Sequence, residues 1–174
     1  MNNSIQSLND AITQLKECSK DFLDTWKINP QRAKWISDHA MICLDHITLE
    51  ILRERDSLKE KKTYDRSLFE KELNCYQGCI AAPVTQEQQK NIISIGYGNA
   101  SLPFPNKPLK MGKLLNKIKH RKRNGANFRI GVNGEHFFII SLDEFLSEPK
   151  SIVEFSIGDF CDHCLRIANL MEVD

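Results

Sequence analysis

The residues best suited to chemistry in this sequence are the cations of one long segment. Between residues 88 and 134 there are ten Lys or Arg residues and no Asp or Glu, so these 47 residues carry a charge of +10. The whole chain carries +1, which leaves −9 for the remainder. A charge separation of this size indicates an acidic partner, which is either a nucleic acid or an acidic protein.

Lys and Arg residues are most closely spaced in a predicted helix over residues 109–122 and in the turn after it. Met111, Leu115 and Ile118 form its narrow apolar edge, and the cations of its last turn favour the negative end of the helix dipole. The alternative is a solvated basic face that is neutralised by residues 135–174, which carry −7. The side chains predicted to contact phosphates are Lys113, Lys117, Lys119, His120, Arg121, Lys122, Arg123 and Asn124.

A second constellation is the pair Arg129 and His136 in a predicted β-hairpin over residues 127–142. Asn133-Gly134 predicts a two-residue type I′ turn, which places Ile130 opposite Phe137. Arg129 and His136 then lie diagonally on one face, roughly 7 Å apart. Such a histidine acts as acid or base towards a ribose hydroxyl, and the arginine stabilises phosphate charge. The alternative is a polar pair on a solvated face.

The late run Lys-His-Arg-Lys-Arg-Asn at residues 119–124, in a chain of helical pattern, resembles the HEPN domains of toxin–antitoxin and phage-defence systems. In that family an arginine, usually followed by a polar residue, and a histidine four to six residues further on cleave RNA at a dimer interface without metal. Six residues separate Arg129 from His136, although Ile130 follows the arginine and a turn intervenes. Arg123-Asn124 is the more typical dipeptide but lacks a suitably spaced histidine. The resemblance implies a metal-independent ribonuclease, and a homodimer would suit it.

The cysteines form a third constellation. Two pairs have spacings near one helical turn, and together they would suit a structural zinc with His163 as a substitute ligand. The alternative is small thiols that pack helix against helix, in which case the protein needs no cofactor. The residues of these pairs are Cys75, Cys79, Cys161 and Cys164.

A fourth constellation, His39, Cys43 and His46, shares one face of a predicted helix. Three such ligands would suit a metal ion, but no fourth ligand is evident in the sequence. The alternative is a pair of histidines that flank the core.

The hydrophobic periodicity predicts a mainly α fold. We expect a single domain over residues 1–174, a bundle of about five helices with the hairpin 127–142 inserted before the last helix. The hydrophobic fraction of 41% is ordinary for a globular protein, and the absence of an apolar run long enough to span a bilayer favours a cytoplasmic location. The predicted helices cover 4–26, 30–57, 65–80, 109–122 and 157–171, and 83–108 is expected to be irregular.

The charge pattern thus favours a nucleic-acid-binding protein, and the HEPN resemblance implies that it belongs to a bacterial or phage defence or toxin system. RNA is the expected ligand, with HEPN-like ribonuclease activity where the resemblance holds. The alternative is a non-catalytic interaction factor, such as an antitoxin, immunity or anti-defence protein, whose basic surface docks on an acidic partner.

Overall fold

The structure is a computed structural model that describes residues 3–171, and in this range six helices accompany one five-stranded sheet. The chain is therefore a mixed α/β protein, and the prediction of a helical bundle with a single hairpin is wrong. The described elements are α1 (Asn3–Thr25), α2 (Pro30–Glu60), α3 (Leu68–Leu73), β1 (Tyr76–Ala81), α4 (Gln86–Ser94), β2 (Lys107–Lys110), α5 (Met111–Lys119), β3 (Ala126–Ile130), β4 (His136–Leu142), β5 (Ser151–Ser156) and α6 (Ile157–Met171).

The elements group into a helical unit, residues 3–74 with 157–171, and a sheet unit, Cys75–Ser156. In the helical unit α1 packs along α2 and α6. The side chain of Asn29 accepts a hydrogen bond from the Arg32 N–H at 3.1 Å and so caps α2, and Pro30 occupies the first helical position. The observed bounds of α1, α2 and α6 lie within three residues of the predicted ones.

The sheet unit has the strand order β2-β1-β5-β4-β3, and all neighbouring strands are antiparallel. Side chains alternate between the two faces along each strand. One face belongs to a core cluster with α4 and the segment after it, made of Ala81, Val84, Ile92, Ala100, Ile139 and Ile152. The opposite face carries Phe128, Phe138, Ile140, Val153 and Phe155.

The predicted helix 65–80 is wrong in its second half. The backbone N–H of Asn74 ends α3 by donating to the carbonyl of Glu70 at 3.0 Å, and the chain then enters β1. In β1, Ile80 pairs with Lys107 and with Val153. Because both partners are distant in the sequence, this pairing overrides a helical period that is visible only locally.

The segment 83–108 contains regular structure, so the prediction that it is irregular is also wrong. Thr85 and Gln88 form a capping box at the start of α4: the Thr85 Oγ1 accepts from the Gln88 N–H at 3.1 Å, and the Thr85 N–H donates to the Gln88 Oε1 at 2.8 Å. Helix α4 runs from Gln86 to Ser94, and β2 starts at Lys107.

The predicted hairpin is present as β3 and β4, but its register differs from the predicted one. Ile130 pairs with His136, and Phe128 pairs with Phe138. The prediction placed Ile130 opposite Phe137 instead. A shift of one residue moves every side chain of one strand to the other face relative to its partner.

The loop explains this shift. It has three residues, 132–134, and is closed by a hydrogen bond from the Gly131 N–H to the Glu135 carbonyl at 2.8 Å. The Gly134 N–H donates to the Gly131 carbonyl at 3.1 Å, and Gly134 has a φ of +84°. This is a β-turn followed by a left-handed residue, a common hairpin connection that also requires glycine.

The buried side chain of Asn127 joins β3 to the end of α4. Its Nδ2 donates to the carbonyls of Ile92 and Gly96, and its Oδ1 accepts from the Gly98 N–H at 3.3 Å. Gly98 and its neighbour also lie against Arg129 in bridge contacts. Within residues 3–171, no helix has the length and apolar character needed to cross a membrane.

Candidate nucleic-acid interface

The burial pattern of helix α5 determines which of its lysine side chains point to solvent. Its apolar side chains are fully or almost fully inaccessible to solvent, and the helical period directs the intervening positions outward. Lys113 and Lys119 are accordingly exposed, whereas the Lys117 side chain is only 12% exposed. The buried residues are Met111, Leu114, Leu115 and Ile118.

The helix ends at Lys119, three residues earlier than predicted, so residues 120–124 belong to the turn that leads to β3. This turn is anchored to β4: the Lys122 N–H donates to the Ser141 carbonyl at 2.9 Å, and the Ser141 N–H donates to the Gly125 carbonyl at 2.7 Å. The anchored backbone holds its exposed side chains near the end of α5. We call Lys113, Lys117, Lys119, His120, Lys122 and Arg123 the basic surface.

Of the remaining predicted contact residues, Arg121 is half-buried and Asn124 is exposed. The Arg121 Nη1 donates to the Ile118 carbonyl at 3.0 Å. Arg121 therefore helps to close the end of α5, and it is less available to a ligand than Lys119 and Arg123.

A shallow pocket of about 60 Å³ opens at the edge of the basic surface. His120 and Phe145 stack on one side of it, with ring centroids 4.9 Å apart and planes inclined by 18°. Both residues are exposed. Proteins that bind single-stranded nucleic acid combine two components: lysines that contact phosphates and aromatic rings that stack on bases. Both components lie side by side here. Sequence reasoning missed Phe145, because no local pattern links it to α5.

Two acidic residues from the segment between β4 and β5 contact the basic surface. Lys117 forms an ion pair with Glu148, and Lys122 Nζ lies 3.1 Å from the Asp143 carboxylate. The Lys117 hydrogen bond lowers the pKa of Glu148, and the charges of Lys117 and Lys113 act in the same direction. Both partners of the Lys122–Asp143 pair are exposed, so this pair contributes little to stability.

The neutralisation expected from residues 135–174 is therefore partial. Residues 110–124 carry +7, whereas the facing segment 143–150 carries −2, so a net positive charge of 5 remains. Part of the acidic stretch, residues 172–174, lies outside the described residues.

Arg129 is held by a structural ion pair. Its Nε and Nη2 each donate to a carboxylate oxygen of Glu154 on β5, both at 2.7 Å. The guanidinium also lies 3.8 Å from the ring centroid of Phe137, its cross-strand partner. Hydrogen bonding to Glu154 raises the pKa of Arg129. The guanidinium is thus held in the sheet unit by a two-point ion pair and by one aromatic ring.

His136 lies on the opposite face of the hairpin. Its ring meets the Phe128 ring edge-on at 5.6 Å between centroids, and Phe128 faces away from Arg129 because the two are adjacent in β3. Burial lowers the pKa of His136 to about 4, so the ring is neutral at pH 7. The structure therefore does not bring Arg129 and His136 together as a pair within one chain.

The four cysteines predicted as weak zinc ligands have different environments. Cys75 is exposed and Cys79 lies on β1, so they do not share a helix. Cys161 and Cys164 are buried in α6, where burial raises the pKa of Cys161 to about 12 and that of Cys164 well above its usual value. Protonated thiols in an apolar setting match the helix-packing interpretation.

His163, the substitute ligand, is buried in the helical unit against Glu72. Its Nε2 donates to the Glu72 carbonyl at 3.1 Å and lies 3.0 Å from the Glu72 carboxylate. Burial lowers its pKa, the nearby charge of Arg166 acts in the same direction, and the contacts with Glu72 act in the opposite direction. A hydrogen-bonded histidine of this kind fastens α6 to α3.

The three residues of the fourth constellation are engaged separately. His39 stacks on Trp35 at 6.0 Å between ring centroids, and the His46 Nε2 lies 3.0 Å from the Ser7 hydroxyl. Cys43 is buried and donates from Sγ to the Gln14 Oε1 at 3.7 Å. These contacts favour the interpretation of histidines flanking a core.

Comparison with known proteins gives no family assignment. No protein-family model matches the chain, and neither a curated protein nor a solved structure matches it.

Proposed function

We propose that the protein binds single-stranded nucleic acid, with RNA as the favoured ligand, through the basic surface and the ring pair His120–Phe145. The observation that carries the proposal is the position of this exposed ring pair beside the lysines of α5. A solvated basic face alone would not require aromatic rings at its edge. The proposed role is binding, since Arg129 is occupied by Glu154 and faces away from His136.

Three basic positions are well suited to a charge-reversal test. Lys113, Lys119 and Arg123 are exposed, so Lys113→Glu/Lys119→Glu/Arg123→Glu should leave folding intact. The matched control is Lys20→Glu/Lys61→Glu/Lys90→Glu, which changes the net charge equally at exposed positions elsewhere. Fluorescence anisotropy of labelled single-stranded RNA then measures binding by both variants and by the unchanged protein.

We expect the first variant to bind RNA at least about tenfold more weakly than the control at low salt. Loss of three phosphate contacts should also reduce the slope of log K against log salt concentration by about 2. Equal binding by the two triple variants would refute this assignment of the surface. If the unchanged protein does not bind RNA, the assignment is also refuted. That result would favour the alternative, an acidic protein partner.

The aromatic pair is tested separately with Phe145→Ala. Loss of one stacked base costs about 1–3 kcal/mol, or roughly 5- to 150-fold in affinity. The loss should appear with single-stranded RNA and be small with duplex DNA, whose bases are already stacked. Equal losses on both ligands would contradict a stacking role.

The ribonuclease activity implied by the HEPN resemblance, and with it a role in a defence or toxin system, stays a prediction. Incubating the same RNA with the protein and separating the products on a gel tests cleavage directly. If the RNA is cut, His136→Ala shows whether this histidine takes part.

A further inference from the structure

One side of α2 carries a row of exposed apolar side chains. Trp35, Ile42 and Leu49 follow one another at intervals of seven residues, and their exposed fractions are 68%, 66% and 48%. Seven residues correspond to nearly two helical turns, so the three side chains lie one above another. Large apolar groups aligned in this way on a surface are typical of an interface between helices.

The row is separate from the part of α2 that builds the core. The core stripe points towards the protein's own interior and includes Ile36, Leu44, Ile47 and Ile51, all of which are buried. At about 100° per residue, the centre of this stripe lies on the opposite side of the helix from Ile42. Helix α2 therefore has two apolar sides, and only one of them is used within the described part of the chain.

Charged and titratable residues flank the row in a regular order. Asp38 and Asp45 lie on one flank, and His39 and His46 lie on the other, each again seven residues apart. In the chain itself, Asp38 forms an ion pair with Lys34 at 2.9 Å and His39 stacks on Trp35. The His46 Nε2 lies 3.0 Å from the Ser7 hydroxyl, which leaves its Nδ1 for a partner. The flanks therefore differ in chemistry, and this difference selects among the ways in which two such helices can pair.

We infer that α2 is a homodimer interface, in which a second copy of this chain packs its α2 in parallel against the same row. A two-fold axis parallel to the helices brings the acidic flank of one copy against the histidine flank of the other, so Asp38 faces His39 and Asp45 faces His46 of the second copy. An antiparallel pair would bring acid against acid and histidine against histidine. Because a carboxylate accepts the hydrogen bond that an imidazole N–H donates, whereas two carboxylates repel each other, this pattern favours the parallel arrangement.

The size of the row determines the expected strength of the dimer. Three apolar side chains from each copy form an interface at the low end of the range for specific complexes, about 1,200 Å² or less. We therefore expect a dissociation constant in about the micromolar range. In this arrangement each side chain of the row meets its own counterpart, so Trp35 packs against Trp35.

Sedimentation velocity of the full chain over a range of concentrations tests the dimer. Ile42→Glu should weaken self-association at least about tenfold, because two carboxylates would meet at the centre of the row. The matched control is Ile93→Glu, which alters an equally apolar exposed residue of α4 and should leave association unchanged. A chain that is monomeric up to about 0.5 mM, well above the expected constant, or equal weakening by both variants, overturns the inference.

Disulfide trapping tests the parallel orientation. Leu49→Cys and Ile42→Cys are made separately after the accessible Cys18, Cys75 and Cys79 are replaced by serine. In the parallel dimer, both cysteines meet their counterparts and both variants form disulfide-linked dimers on mild oxidation. Trapping by Ile42→Cys alone would indicate an antiparallel pair and overturn the proposal.

Discussion

Replacement of Arg129 by methionine tests whether this residue stabilises the fold instead of performing chemistry. The side chain is 31% exposed, and Glu154, which accepts both of its hydrogen bonds, is 12% exposed. Removing one partner of a fully buried ion pair costs about 3–5 kcal/mol, whereas an exposed pair contributes about 0–1 kcal/mol. Arg129→Met leaves a largely buried carboxylate without its main partner, so we expect a loss of about 2–3 kcal/mol in the free energy of unfolding.

Urea denaturation followed by circular dichroism measures this loss. Methionine preserves part of the packing on Phe137, so most of the effect should come from the ion pair. The double variant Arg129→Met/Glu154→Met removes both charges, and it should be more stable than the sum of the single effects predicts, by about 1–2 kcal/mol. RNA affinity should not change in the folded variants, because Arg129 lies outside the basic surface.

Two results would refute this account of Arg129. A loss below about 0.5 kcal/mol in Arg129→Met would mean that the guanidinium contributes as little as a surface charge. Additive effects in the double variant would mean that Arg129 and Glu154 are not energetically coupled. Specific loss of RNA cleavage with unchanged stability would instead support the role implied by the HEPN resemblance.

Two further predictions concern the sheet unit. Because the folded protein keeps His136 neutral down to about pH 4 and the unfolded chain protonates it near pH 6.5, the free energy of unfolding should fall by up to about 3 kcal/mol as the pH falls through this window. In His136→Phe, the urea midpoint of unfolding should depend less on pH between about pH 4 and 6.5 than in the unchanged protein. An equal dependence on pH in both proteins would contradict the assignment. Gly78→Ala should destabilise the sheet by about 1–3 kcal/mol, because the added Cβ would lie 2.7 Å from the Glu154 carbonyl oxygen. An unchanged thermal midpoint would show that β5 accommodates the methyl group.

The helices that sequence reasoning found are those whose signals are local. The apolar spacing in α1 and the Asn29-Pro30 cap of α2 act within a few turns of helix, so they can be read without knowledge of the fold. The Thr85–Gln88 capping box is an equally local signal, since it involves only four consecutive residues. Strand β1 is different, because its conformation depends on β2 and β5, which lie roughly 30 and 75 residues further along the chain.

In the candidate site, too, local features could be predicted from the sequence and contacts between distant residues could not. The cations of α5 were found because charge and helical spacing are properties of the sequence, whereas the contact of His120 with Phe145 depends on the path of the chain after β4. The pairing of Arg129 with His136 failed for a local reason. Asn133-Gly134 suits both a two-residue and a three-residue loop, since each places Gly134 at positive φ, and only the complete strand pairing distinguishes them.

The contacts made by Asn127 have a consequence for assembly. Strand β3 lies at one end of the strand order, and such a strand offers unpaired N–H and C=O groups to any other chain in solution. The segment at Gly98, fastened by the Asn127 side chain, covers the middle of this edge. At the other end, β2 contains Pro108, which has no N–H to donate. Each margin of the sheet thus offers fewer free backbone groups to an added strand, which disfavours edge-to-edge association.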